Sequence, residues 1–303
     1  MSEDAPTVAT RQLRSMKTVV SVDCLRIRRS RALVFGGVLF AGLCMFGAWY
    51  PSVPGQQVHH NLNLAYDLSG DLNAEPTPLV VHFFARWLLL FLSVLAALVG
   101  SGAIAGQVQS GYSRTLQTLP CSRRTVVFGI ACTRAVTAGI ITAIGLSAGG
   151  ATIWIRFDTI DLATYLHFSA VTIGYAMLLT VLAVGVSALV RTRLRALFLT
   201  LGPMVLAIYF GGDIVASRPF RSALLVQPYQ ILVSGAHERL IARPHIEPYL
   251  DELNGTDIVT LESSADVPLY LTDIGVVLTL VLVPVMVLTV GSWRYNRRDH
   301  TVN

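Results

Sequence analysis

Six stretches of the chain are long enough and apolar enough to cross a membrane, and no other feature restricts the fold as strongly. A transmembrane helix needs about 20 apolar residues to cross roughly 30 Å of hydrocarbon. The six stretches cover residues 32–50, 79–106, 126–155, 164–190, 196–216 and 269–292. Because 53% of the residues are hydrophobic and only 14% are charged, a soluble domain of this size is excluded. The sequence predicts an all-α membrane protein with six transmembrane helices.

Basic residues are distributed unevenly between the segments that join these stretches, and this asymmetry predicts an orientation. Sixteen lysines and arginines lie in residues 1–31, the second and fourth connectors and residues 294–303, whereas five lie in the other connectors. Because basic residues gather on the cytoplasmic side, we expect a multi-pass protein of the cell membrane with both termini cytoplasmic. The net charge of +5 then reflects orientation, and we expect no nucleic-acid partner.

This topology divides the chain into three parts. They are a cytoplasmic N-terminal interfacial segment (1–31), a six-helix transmembrane domain (32–293) and a cytoplasmic tail (294–303). In the first part, Val19, Val22 and Leu25 are spaced as one apolar face of a helix. We expect this helix to lie along the membrane surface as an anchoring flank, with its arginines at the lipid headgroups.

Two features predict irregular structure near the outer surface. The third stretch would measure about 45 Å as a helix, which exceeds the hydrocarbon thickness, and Gly149–Gly150 predicts a break near its outer end. The outer loop, residues 217–268, contains the apolar patch ALLVQPYQILVSG. Because irregular backbone at membrane depth must be enclosed by protein, this patch predicts a re-entrant or interfacial hairpin.

The second connector, SGYSRTLQTLPCSRR, is basic but also carries apolar residues at helical spacing. Tyr112, Leu116 and Leu119 form one face of a short helix that begins at Gly111, and Pro120 ends it. The basic residues of this connector are Arg114, Arg123 and Arg124. The helix fits either the lipid headgroups, with arginines on phosphate, or the groove of a cytoplasmic protein partner.

The residues around this connector resemble the signature of ABC-2-type transporter permeases. In that family a Gly-Glu-Arg-Glu-x-Gly-Thr stretch leads to Leu-Pro-[Val/Ile]-Ser-Arg, and here GQVQSG (106–111) leads to LPCSRR (119–124). Further similar segments are Val127-Phe128-Gly129 with Arg134, VSALVRTRLRALFLTLG (186–202) and GSWRYNRRD (291–299). The sequence departs from the family at Gln107 and Gln109, where acids are usual, and at Tyr112, where threonine is usual.

The resemblance implies a type V exporter-like ABC-2 transmembrane domain in which this connector is a cytoplasmic coupling helix. It would dock on a separate ATP-binding subunit through Gly111, Tyr112, Arg114, Leu116, Leu119, Pro120, Arg123 and Arg124. ATP and Mg²⁺ would bind that partner, so no cofactor is expected on this chain. The permease would also pair with a second copy of itself or a paralogous permease, surrounded by membrane lipid.

The chain lacks the residues of the common catalytic and metal sites. A phosphate-binding loop needs lysine after a glycine-rich stretch, but Lys17, the one lysine, follows Met16. No protease or hydrolase motif occurs. The adjacent His59 and His60 match no metal-ligand spacing, so no metal site is expected. We therefore expect a protein that is not an enzyme.

Four of the ionisable residues within the predicted transmembrane helices are candidate functional residues. They are His82, Arg86, Arg134 and Asp213. Charged side chains at membrane depth often mark functional sites, although these could also lie at the interface and face water. We expect Arg134 to extend towards the cytoplasmic surface, and Arg86 to pair with Asp213 near the outer surface.

Together these observations predict the permease subunit of an ATP-driven exporter, energised by a separate ATP-binding subunit. The alternative is a membrane scaffold or assembly factor of the same fold that transports nothing. A neighbouring gene for an ATPase with a phosphate-binding loop would favour the first hypothesis.

Overall fold

The computed structural model describes residues 8–49, 77–110, 122–209, 225, 229, 232–233 and 273–297. In chain order the helices are α1 (Val8–Arg28), α2 (Arg31–Trp49), α3 (Thr77–Gly100), α4 (Ala105–Gln109), α5 (Arg123–Phe157), α6 (Leu162–Leu189), α7 (Arg193–Tyr209) and α8 (Asp273–Arg297). No strand occurs in these ranges. The prediction of an all-α fold is thus confirmed for the part of the chain that the structure describes.

Within the described ranges, four helical segments are long and apolar enough to cross a membrane. They are Trp87–Gln109, Arg123–Phe157, Leu162–Leu189 and Gly275–Arg297. A fifth is added if Lys17–Arg28 and Leu33–Trp49, which meet at a bend of 69°, are counted as one span. The predicted total of six transmembrane helices and their boundaries therefore stay predictions.

Polar side chains fix the ends of α5 and α6. The hydroxyl of Ser122 caps α5 because it accepts the backbone N–H of Thr125 at 3.1 Å. Asp158 closes the other end of α5 in a left-handed conformation with φ 54°. Asp161 then caps α6, because its carboxylate accepts the N–H groups of Ala163 and Thr164 at 3.1 and 3.3 Å. Between these two caps the chain passes from α5 to α6 in a tight turn.

The predicted break at Gly149–Gly150 is wrong, because α5 continues through it without interruption. The two glycines instead allow aromatic rings to approach the helix backbone. A Cβ atom on Gly150 would lie 2.7 Å from the Tyr165 ring, and one on Gly149 would lie 3.3 Å from the Phe84 ring. The hydroxyl of Tyr165 donates to the carbonyl of Leu146 on the same helix. Glycine therefore serves close helix packing here.

Helix α6 lies at the centre of the bundle, where it packs against α3, α5, α7 and α8. Its contact with α8 is a seam of small residues. A Cβ atom on Gly291 would lie 2.5 Å from the carbonyl oxygen of Gly185, and one on Gly185 would lie 2.8 Å from the Leu288 nitrogen. The α6–α3 contact is equally close, since a Cβ atom on Gly100 would lie 2.5 Å from Ala183 Cβ. Any added side chain would force these helices apart.

The apolar core has two parts. The larger one fills the middle of the bundle and includes Phe84, Leu88, Phe168 and Tyr175. The smaller one includes Val19, Ile104, Val127, Val184 and Leu288. It lies at the side we name the arginine-rich end, where α1 and α8 end and α5 and α7 begin. That end carries Arg26, Arg28, Arg123, Arg124, Arg193, Arg195, Arg294 and Arg297.

Part of the apolar patch in the predicted outer loop lies inside the bundle. Leu225 and Tyr229 are fully buried in the larger core. The Tyr229 ring stacks on Tyr175 with 4.4 Å between centroids, and its hydroxyl lies 3.1 Å from the Thr172 hydroxyl. Thr172 lies roughly 15 Å along α6 from its first residue, at ~1.5 Å per residue. Protein therefore encloses Tyr229, as the predicted re-entrant segment requires.

Candidate functional site

The chain breaks its helical hydrogen bonding between α3 and α4, at the arginine-rich end. In a continuous helix the N–H of Ala105 would donate to the carbonyl of Ser101. Instead, the fully buried hydroxyl of Ser187 on α6 lies between them. It donates to the Ser101 carbonyl at 2.7 Å and accepts the N–H groups of Ala105 and Ile104 at 2.9 and 3.2 Å. One hydroxyl thus forms hydrogen bonds with three backbone groups at the break and attaches the break to α6.

A buried ion pair joins three helices one turn away from this break. The guanidinium of Arg134 on α5 donates to both carboxylate oxygens of Asp23 on α1, at 2.9 and 2.8 Å. Asp23 is 3% exposed and Arg134 is 8% exposed. Arg134 also donates to the carbonyl of Val99 at 3.3 Å. That carbonyl lacks its helical partner because the N–H of Ala103 bonds to Gly100. The pair therefore links α1, α5 and the end of α3.

Two further contacts hold the ends of the second connector. Gln109, on α4, accepts the backbone N–H of Arg193 at the start of α7, at 3.3 Å. Arg123, at the start of α5, donates to the carbonyl of Asn296 in the last turn of α8, at 3.1 Å. The segment between Ser110 and Ser122 is therefore attached at one end to α6 and α7, and at the other to α5 and α8.

A family model described as ABC-2 family transporter protein matches residues 18–300. The chain belongs to the ABC-2 transporter family. This confirms the resemblance predicted from residues 106–124, and it implies that the chain is the permease subunit of an ABC transporter. No curated protein matches the chain.

Of the residues predicted to contact an ATP-binding subunit, the structure of this ABC-2 permease describes two. The side chain of Arg124 is exposed, whereas Arg123 is half-buried and bonded to its own chain. The other predicted contacts lie outside the described residues. They are Gly111, Tyr112, Arg114, Leu116, Leu119 and Pro120.

The structure places one of the four predicted intramembrane ionisable side chains. Arg134 does not extend to the surface as expected, because Asp23 supplies a carboxylate beside it within the bundle. His82 and Arg86 lie on α3, but their side chains are outside the described residues, as is all of Asp213. The pairing of Arg86 with Asp213 stays a prediction.

Sequence reasoning missed the two residues that organise this end of the permease. Asp23 had a signal, since it is the one acid between Asp4 and Asp67, in a segment that is otherwise basic. A lone acid among arginines is a candidate partner for a charged residue inside the membrane. Ser187 had none, because serine is common in transmembrane helices and its partners lie more than 80 positions away.

Proposed function

We propose that this chain is the membrane-spanning subunit of an ATP-driven exporter, with the helix predicted over residues 111–119 as its coupling helix. A separate ATP-binding subunit, which carries ATP and Mg²⁺, docks on that segment from the cytoplasm. Two permease chains, either two copies or this chain and a paralogue, enclose the substrate path. The excess of lysine and arginine at the arginine-rich end supports a cytoplasmic location for this end and for both termini.

The observation that carries this proposal is the attachment of the break after α3 to the centre of the bundle. Ser187 bonds to three backbone groups of the break, and α6 packs against four other helices. A displacement of Gln109 or Ser110 therefore reaches α6 through hydrogen bonds rather than through a loose loop. Such a connection is what a permease needs to convert movement of a docked ATPase into helix movement.

The start of α5 provides a second route from the same segment. Ser122 caps α5, and Arg123 bonds to the last turn of α8. Movement at the end of the coupling segment therefore acts on α5 and α8 together. Because Arg123 has this internal role, the exposed Arg124 is the better candidate for contact with acidic groups of the ATP-binding subunit.

We expect Leu116→Asp to abolish binding of the ATP-binding subunit while membrane insertion is unchanged. The substitution places a charge in an apolar contact but alters no transmembrane stretch. Arg124→Glu should reduce binding at least about tenfold, because the reversal replaces an attraction across the interface by a repulsion. The measurement is recovery of a polypeptide with a phosphate-binding loop, identified by mass spectrometry, on purification of each variant.

Arg298→Glu is the control, because it makes the same charge change in the terminal segment. We expect this variant to retain the ATP-binding subunit. If the connector only anchors the chain to lipid, Arg124→Glu and Arg298→Glu should act alike, since each basic residue near the surface contributes ~1 kcal/mol. Equal retention by all three variants, at equal amounts in the membrane, would contradict the coupling role.

A further inference from the structure

A cavity of about 210 Å³ lies where the bend between α1 and α2 meets the end of α3 and the start of α7. Roughly 10–15 Å³ of such space suffices for one water molecule, so the cavity can hold several. Its lining is polar and basic on one side and apolar on the other, so we consider the two sides in turn.

Three arginines line the polar side. They are Arg26, Arg134 and Arg193, with Ser30 beside them. Asp23 holds Arg134 in place through their ion pair. Gly102 leaves room for Arg193, because a Cβ atom on Gly102 would lie 3.2 Å from the Arg193 Nε. None of the lining residues that the structure describes is acidic. This side therefore favours a group with negative charge, and a guanidinium fork suits phosphate oxygens in particular.

The apolar side is formed mainly by leucines and lies next to apolar side chains that are exposed on α2 and α3. Leu33, Leu95 and Leu98 line it. Gly36 forms part of this side, and a Cβ atom there would meet nothing within 4 Å. Leu98 is 42% exposed, and the adjacent Phe35 on α2 is 70% exposed, as expected of side chains that face lipid. A ligand in the cavity can therefore have a polar part at the arginines and an apolar part along α2 and α3.

We propose that this cavity binds an anionic phospholipid. The phosphate diester lies against Arg26 and Arg193, above the Asp23–Arg134 pair, and an acyl chain leaves over Gly36 and Leu98. Free inorganic phosphate shares the headgroup chemistry but would leave the apolar side unfilled. Basic cavities between transmembrane helices on the cytoplasmic side are known to suit anionic headgroups. The bound lipid joins the α1–α2 bend to α3 and α7, and this role is independent of transport.

The test is native mass spectrometry of the full chain in detergent, titrated with phosphatidylglycerol, phosphatidylcholine or inorganic phosphate. We expect one phosphatidylglycerol to bind and to survive dissociation of the micelle. Arg26→Gln with Arg193→Gln should weaken this binding at least about tenfold, because two basic contacts are lost. Gly36→Leu should weaken it to a similar extent without changing the charge, because the added side chain fills the exit of the acyl chain.

Arg28→Gln with Arg29→Gln is the matched control, since both residues are exposed on the same turn and neither lines the cavity. We expect it to bind within about threefold of the original chain. Equal loss in both double variants would show general attraction to headgroups and overturn the site. Inorganic phosphate that competes as strongly as phosphatidylglycerol would overturn the lipid as ligand, and so would binding unchanged by Gly36→Leu.

Discussion

Asp23→Asn should destabilise the permease by roughly 3–5 kcal/mol, because it leaves the Arg134 charge buried without a carboxylate. The Asp23 and Arg134 side chains are 3% and 10% exposed, and no described residue that lines the cavity beside Arg134 supplies another carboxylate. The substitution also weakens the contact between α1 and α5, in which Val19 lies against Gly129. The measurement is the midpoint of thermal unfolding in detergent. Unfolding is monitored as the loss of the monodisperse peak in size-exclusion chromatography.

Asp161→Asn makes the same chemical change at a half-buried helix cap and serves as the control. We expect little effect there, because asparagine caps a helix about as well as aspartate. Replacing both members of the pair, by Asp23→Leu with Arg134→Met, should restore most of the stability lost in Asp23→Asn, since no charge is then left unpaired. A midpoint for Asp23→Asn equal to that of Asp161→Asn would show that the pair contributes no stability.

Gly291→Ala should destabilise the bundle by about 1–3 kcal/mol, the range for overpacked cores. The new Cβ would lie 2.5 Å from the carbonyl oxygen of Gly185, which is backbone and cannot rotate away. Helices α6 and α8 must then separate along their seam. The same thermal unfolding measurement checks the prediction, and a cysteine cross-link between the two helices reports the separation directly.

Gly174→Ala is the matched control, because Gly174 lies on α6 and a Cβ there would meet nothing within 4 Å. Alanine favours a helix by up to about 1 kcal/mol over glycine, so this variant should be unchanged or more stable. The two substitutions are therefore expected to have opposite signs. Stabilisation by Gly291→Ala would mean that the seam is looser than the structure indicates.

The sequence allowed the helices and the family to be predicted, because both depend on local patterns. Apolar stretches of membrane length mark helices by composition alone. The charge asymmetry predicts which ends of the helices share a side, and Arg123 and Asn296 do meet at the arginine-rich end. The signature from Gly106 to Arg124 was sufficient to indicate the family that the model for residues 18–300 confirms.

The breaks and pairings could not be predicted, because they depend on residues distant in sequence. Two adjacent glycines indicated a break in α5. Glycine also permits close packing, however, and here it makes room for the ring of Tyr165. The true break, after Gly100, falls inside a stretch that was predicted as one helix. It is stabilised by Ser187, and the Arg134–Asp23 pair spans 111 positions.

The most direct test of the proposed coupling role is photo-cross-linking from the predicted coupling helix. Leu116→p-benzoylphenylalanine would report what the apolar face of that helix contacts in the membrane. Leu282→p-benzoylphenylalanine is the control, because Leu282 on α8 is 59% exposed in an apolar stretch. We predict that position 116 forms a covalent product with a polypeptide that contains a phosphate-binding loop, while position 282 does not. Adducts with lipid alone from position 116 would contradict the coupling role.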